Sequence, residues 1–87
     1  KVGPEPLDDD FTVEDFIHRF ERRKNTSIKA ALLDQTVVAG VGNIYADESL
    51  WGAKIDPRRR VKDITNDEFK SLYNEVRSVN KKRWQYG

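Results

Sequence analysis

VVAGVGNIYADESLWG, residues 37–52, is the stretch on which the reading of this chain turns. Gly40 and Gly42 stand two apart, and Asn43 follows at once. Glycine has no Cβ, so another backbone can approach it and dihedrals that other residues resist become available. Beyond Asn43, the apolar residues Ile44, Tyr45, Ala46, Leu50 and Trp51 predict a helix over about 43–52. The first N–H groups of a helix have no partner within it, and the helix dipole makes that end positive. A Gly-x-Gly-Asn turn that opens a helix therefore gathers free donors, partial positive charge and a short amide side chain in one place. A phosphate suits that arrangement. The same residues also read as a tight turn with Asn43 as an N-cap and no ligand. On spacing alone the reading without a ligand is the commoner one, because a short glycine turn is a weak motif.

The flanking residues are helical as well. Thr12 with Asp15 three residues on forms a capping-box pattern. Val13, Phe16, Ile17 and Phe20 follow as one apolar stripe, which predicts a first helix to about Arg23. Ser27 is placed to cap a short helix from Ile28 to about Leu33 that buries Ile28, Ala31 and Leu32. Residues 34–42 form the connecting turns, with Val37 and Val38 as apolar plugs. Gly52 suits the exit of the third helix, and Pro57 bars helix through Asp56. A second capping box at Thr65–Glu68 opens a fourth helix to about Lys82, carrying Phe69, Leu72, Tyr73, Val76 and Val79. Val37-Val38 is too short to establish a sheet. The expected fold is all-α: a small four-helix domain with a lead-in at 1–11 and a helical core at 12–83. Phe16, Phe20, Val37, Val38, Ile44, Leu72 and Val76 are expected in one core, and Trp51 reads as core too.

Composition narrows the function classes. The chain has 87 residues, 37% hydrophobic and 36% charged, so the core of its one small domain is thin. It has no cysteine and one histidine, which excludes disulfides, thiolate zinc sites and histidine-rich metal clusters. No apolar run approaches the ~20 residues of a membrane span. No cationic apolar leader is visible, and a soluble, cytoplasmic setting is expected. Catalytic groupings are scarce. His18 lacks a nucleophile partner, and Asp8-Asp9-Asp10 reads as a solvated loop before a helix start.

A net charge of +1 conceals strong segregation. Residues 1–16 are acidic. Arg19, Arg22, Arg23, Lys24 and Lys29 form one basic block, and Lys54, Arg58, Arg59, Arg60 and Lys62 form another. Either block alone reads as a solvated face. If they fold to one side of the glycine turn they create a positive field, which points to nucleic acid.

GPEPL at 3–7, DDF at 9–11, IKAALLDQ at 28–35 and VVAGVGNIYADESLWGAKIDP at 37–57 together resemble the helix–two-turns–helix domain of the formamidopyrimidine-DNA glycosylase / endonuclease VIII family. The resemblance covers nearly the whole chain and favours the phosphate reading of the turn. It implies a role in base-excision repair, in a bifunctional glycosylase and AP lyase acting on oxidised purines such as 8-oxoguanine or formamidopyrimidine. It implies double-stranded DNA, damaged or abasic, as the partner, held through its phosphates. Asn43 would then be the side-chain phosphate ligand, helped by backbone N–H groups near Gly42 and Ile44. Lys29 would sit near the lesion strand. Arg58, Arg59 and Arg60, from the second basic block, are candidate contacts on their charge alone. A monomer associated with the bacterial nucleoid through DNA follows from the same resemblance.

The departures from the family pattern are specific. The family's nucleophile is an N-terminal proline followed by glutamate on a β-sandwich domain. Pro4-Glu5 is internal, so its nitrogen lies in a peptide bond and cannot form a Schiff base. The family's zinc finger needs cysteines, which this chain lacks. The expectation is a middle domain of a larger glycosylase, without catalytic residues or cofactor of its own, zinc belonging to the parent. The alternative is a free-standing adaptor that binds nucleic acid or protein with the same helical module.

Overall fold

The computed structural model describes the backbone of residues 10–86 and the side chains of 10–79 and 81. Residues 1–9, with the GPEPL segment, Asp8 and Asp9, lie outside the described residues, as do the side chains of Trp84 and Tyr86. Four α-helices follow one another: α1 (Val13–Arg19), α2 (Ile28–Leu33), α3 (Asn43–Gly52) and α4 (Asn66–Tyr86). Two 3₁₀ turns, Glu21–Arg23 and Val61–Asp63, complete the regular structure, and no strand is found among the described residues. The all-α expectation therefore holds.

The caps are local and form as the sequence requires. Thr12 Oγ1 accepts from the Asp15 amide at 3.2 Å, and the Asp15 carboxylate accepts from the Thr12 amide at 3.4 Å. Ser27 Oγ accepts from the Ala30 amide at 3.2 Å. Thr65 and Glu68 reciprocate in the same way, at 3.2 and 3.0 Å. Each cap satisfies donors that the helix itself leaves open.

An aromatic cluster joins α1 to α4. The Phe16 ring lies 4.9 Å from Phe20 and 5.7 Å from Tyr73, and Phe20 lies 5.3 Å from Phe69. Phe11 departs from the lead-in reading: it is buried, 6.0 Å from Phe16, and its carbonyl accepts the Tyr73 hydroxyl at 2.5 Å. Ile28, Ala31 and Leu32 of α2, with Val37, Val38 and Val41 of the turns, fill the space between this cluster and α3.

Three boundaries differ from the sequence expectation. The first helix ends at Arg19, not near Arg23. From there the bonding tightens to i−3, with the Arg23 amide donating to the Phe20 carbonyl at 2.9 Å. The tighter turn brings Arg23 Nε to 2.9 Å from Asp34 Oδ2. At the end of α3, Lys54 adopts the left-handed conformation (φ 60°) instead of a glycine. The Ile55 amide donates to the Leu50 carbonyl at 2.9 Å and the Lys54 amide to Trp51 at 3.1 Å, the bonding of a Schellman cap. Gly52 is the last helical residue, and a Cβ there would lie 2.0 Å from Glu75 Oε1 of α4. The fourth helix continues to Tyr86, beyond Lys82, because no glycine or proline interrupts 66–86.

Two core expectations fail on α3. Ile44 is 74% exposed and Trp51 83% exposed. A helix turns about 100° per residue, so these two, seven apart, share a side. Ala46, Ser49 and Leu50 lie on the opposite side and are the buried ones. A helix this short has one inward face, and the smaller residues occupy it. Ser49 satisfies its buried hydroxyl by donating to the Tyr45 carbonyl at 2.7 Å.

Candidate nucleic-acid interface

The two turns between α2 and α3 are built around Asp34 and Gln35. Asp34 Oδ1 accepts from the Thr36 hydroxyl at 2.6 Å and the Thr36 amide at 2.8 Å, while Oδ2 takes Arg23. Those bonds, with the Thr36 hydroxyl contributing most, hold the Asp34 carboxyl at about 2, well below the usual carboxylate value. Arg19 reaches in from α1 and donates to the Thr36 and Val37 carbonyls at 2.6 and 3.3 Å. Gln35 Oε1 accepts from the Gly40 amide at 2.9 Å. Gly40 has φ +79°, the left-handed region that favours glycine, and there the chain reverses toward α3.

Gly42, not Asn43, is the N-cap of α3, so the cap reading of Asn43 does not hold. Gly42 carries no side chain, and α3 starts with no side-chain cap bond. Asn43 and Ile44 are the first two helical residues and are exposed. The Asn43 amide makes no side-chain hydrogen bond to another described residue. An uncapped helix end with a donor-bearing side chain at its first position is chemically able to receive an anion.

Lys29 comes to the same helix from α2. Its Nζ lies 2.9 Å from Asp47 Oδ1, one turn beyond Asn43. Sequence reading places Lys29 near the site and misses Asp47. The signal available is that positions 43 and 47, four apart, share a helix face.

Backbone pairing brings the two basic blocks together. The Ile28 amide donates to the Arg59 carbonyl at 2.7 Å, Val61 to Thr26 at 3.0 Å and Lys62 to Lys24 at 3.0 Å. The arginines themselves face protein acceptors. Arg59 Nη2 donates to Glu68 Oε1 at 3.0 Å and to the Asp63 carbonyl at 2.5 Å, and Nη1 takes the second Glu68 oxygen. Arg59 holds the Glu68 carboxyl at about 2, with help from the Thr65 amide. Arg58 bonds Asp56 through Nε at 3.2 Å and Nη2 at 3.0 Å, and Arg60 donates to the Asn25 carbonyl. The run 58–60 is thus a clamp between the α1–α2 connection and the start of α4.

Elsewhere, His18 Nδ1 lies 3.4 Å from Glu21 Oε2 in an exposed surface pair. Trp51 borders a groove of about 750 Å³ shared with Leu50, Ile55, Pro57 and Arg58. Among the described residues no three of His, Cys, Asp and Glu gather to hold a metal ion. With no cysteine in the chain, a thiolate zinc site is excluded. Among the described residues no helix is long and apolar enough to cross a membrane.

Residues 2–85 match the family model described as the formamidopyrimidine-DNA glycosylase H2TH domain. The chain belongs to that family. It is 53% identical over 79 residues to the formamidopyrimidine-DNA glycosylase of Herpetosiphon aurantiacus, covering 91% of this chain and 29% of that protein. It is 53% identical over 76 residues to the enzyme of the same name from Ligilactobacillus salivarius, covering 87% of this chain and 27% of that one. The crystal structure of MutM (Fpg) from Thermus thermophilus superposes with a TM-score of 0.83 at 40% identity, covering 92% of this chain and 30% of that one. Lactococcus lactis Fpg, solved non-covalently bound to DNA containing an AP site, gives 0.82 at 38%, covering 93% of this chain and 31% of that one. The H2TH domain seen here thus spans less than a third of the length of these relatives.

Proposed function

We propose that this H2TH domain binds duplex DNA through its phosphates as the middle part of a base-excision glycosylase. The observation that carries the reading is the uncapped N-terminus of α3, with Asn43 exposed at its first position. Asn43 donates its side-chain amide to a phosphate oxygen, and the backbone N–H groups near Gly42 and Ile44 supply further donors. Lys29 contributes charge one helical turn away. The L. lactis relative solved with AP-site DNA supports an abasic or damaged duplex as the partner. Oxidised purines are the proposed substrates of the whole enzyme, with glycosylase and AP lyase chemistry residing outside the residues of this chain. The domain itself grips and orients, as a monomer.

Phosphate contacts fix position but carry no base information. The chain alone should therefore bind duplexes no more tightly than the ~10⁻⁴–10⁻⁶ M of non-specific binding, with little lesion preference and a strong salt dependence. Asn43→Ala tests the assignment. Losing a hydrogen bond to a charged oxygen costs roughly 1.5–3 kcal/mol, or about 10- to 150-fold in affinity. Folding stability should stay within about 0.5 kcal/mol, as for other surface changes, because Gly42 occupies the cap. Asn43→Ser should behave likewise, since serine reaches less far. A serine variant that binds like the wild type would show that the backbone of the turn holds the phosphate without the Asn43 amide.

A further inference from the structure

We propose that Asp47 sets how strongly Lys29 acts on DNA, holding the ammonium at the phosphate-binding end of α3 while cancelling its charge until a phosphate displaces the carboxylate. The inference rests on the phosphate reading of Asn43 and Lys29. Lys29 Nζ and Asp47 Oδ1 are 2.9 Å apart, and the pair bridges α2 and α3 across the two turns. The lysine side chain is 31% exposed and the aspartate 51%, so the pair is reachable from solvent. Residues four apart on a helix have Cβ atoms about 5–6 Å apart, so the pair sits on the face of α3 that carries Asn43.

Two consequences follow. The flexible lysine stem is held where a phosphate next to Asn43 would meet it. The carboxylate, however, presents a negative charge to the same phosphate and must give up its cation. A solvent-reachable ion pair contributes only about 0–1 kcal/mol, so exchanging Asp47 for a phosphate is feasible, yet the carboxylate still opposes it. Asp47 is therefore a positioning residue that also restrains affinity.

A four-variant cycle on the 87-residue chain tests this: wild type, Asp47→Asn, Lys29→Ala and the double variant. The probe is a fluorescein-labelled duplex of about 20 base pairs with one abasic-site analogue, followed by anisotropy across a salt series. Asp47→Asn should tighten binding about 2- to 5-fold, the range a lost surface ion pair can supply. It should also steepen the dependence of log K on log salt by up to about 0.9, one phosphate contact. With Lys29→Ala in place, the same change should move affinity less than about 2-fold. Asp47→Glu should bind like the wild type, because the pair can re-form, and Asp47→Ser should reproduce the asparagine result.

Unchanged or weaker binding by Asp47→Asn overturns the inference. So does an equal gain in the absence of Lys29, which would reduce Asp47 to general repulsion. If Lys29→Ala alone changes neither affinity nor salt slope, the role assigned to Lys29 in phosphate binding fails first, and the inference with it.

Discussion

The N-terminus of α3 and the arginine run 58–60 both read from the sequence as phosphate grips, and the fold treats them in opposite ways. At α3 the cap is a glycine with no side chain to offer, and Asn43 stands exposed beside it. At 58–60 each guanidinium meets an acceptor from the protein: Asp56, Glu68 with the Asp63 carbonyl, and the Asn25 carbonyl. One region leaves hydrogen-bonding capacity open, and the other uses it to join segments. The contrast teaches that a count of positive residues does not say which of their donors the protein already engages.

Acid offers the broadest test of that contrast, because it removes the carboxylate acceptors of the clamp while the N-cap of α3 has no side-chain acceptor to lose. Glu68, Asp34 and Asp56 are all held near 2, below their ordinary values, mainly by Arg59, by the Thr36 hydroxyl and by Arg58 respectively. Carboxylates with lowered values in the folded state contribute stability above their unfolded value of about 4, and that stability is lost as pH falls toward the folded value. The midpoint of thermal unfolding should therefore hold steady down to about pH 5 and fall steeply between about 4 and 2. Glu68 and Asp34 carry most of the effect, since the Asp56–Arg58 pair is the most exposed of the three. A flat profile to pH 2 would mean that the clamp is decorative.

Arg59→Ala should come next in size. It removes a two-pronged bond to Glu68 and a bond to the Asp63 carbonyl, both charge-assisted, that tie the 58–60 run to the start of α4. Chemical denaturation should register the loss, while DNA affinity per folded molecule drops less than for Asn43→Ala. An Arg59→Ala protein of wild-type stability with much weaker DNA binding would reverse the roles given to the two regions.

The smallest expected effect is on the outer side of α3. Ile44→Ser and Trp51→Ser remove large apolar side chains that are already solvated, so stability should change by no more than about 0.5 kcal/mol. A loss of several kcal/mol in either variant would contradict the exposed placement of these residues.

Much of the helical plan was legible because its signals are short-range. The Thr12–Asp15 and Thr65–Glu68 boxes and the Ser27 cap each involve residues three apart, so they form wherever the chain is placed. Gly40 and Gly42 marked the turn for a similar reason. The α1 stripe also read correctly for Phe16 and Phe20, because their spacing puts both rings on one face. The α3 run was harder. Ile44, Tyr45, Ala46, Leu50 and Trp51 go round the helix, and hydrophobicity alone does not say which side turns inward.

The sequence by itself determined four helices, three of their N-terminal caps, the family and the glycine turn that opens α3, since each depends on residues close along the chain. The tertiary structure alone decided which side of α3 is buried and which cations are already matched. Arg59 meets Glu68 nine positions away, and Arg60 meets the Asn25 carbonyl 35 positions away. Lys29 meets Asp47 only because the two turns fold α3 back beside α2. Electrostatic pairing depends on distance in space, and local spacing carries no record of it until the chain has closed on itself.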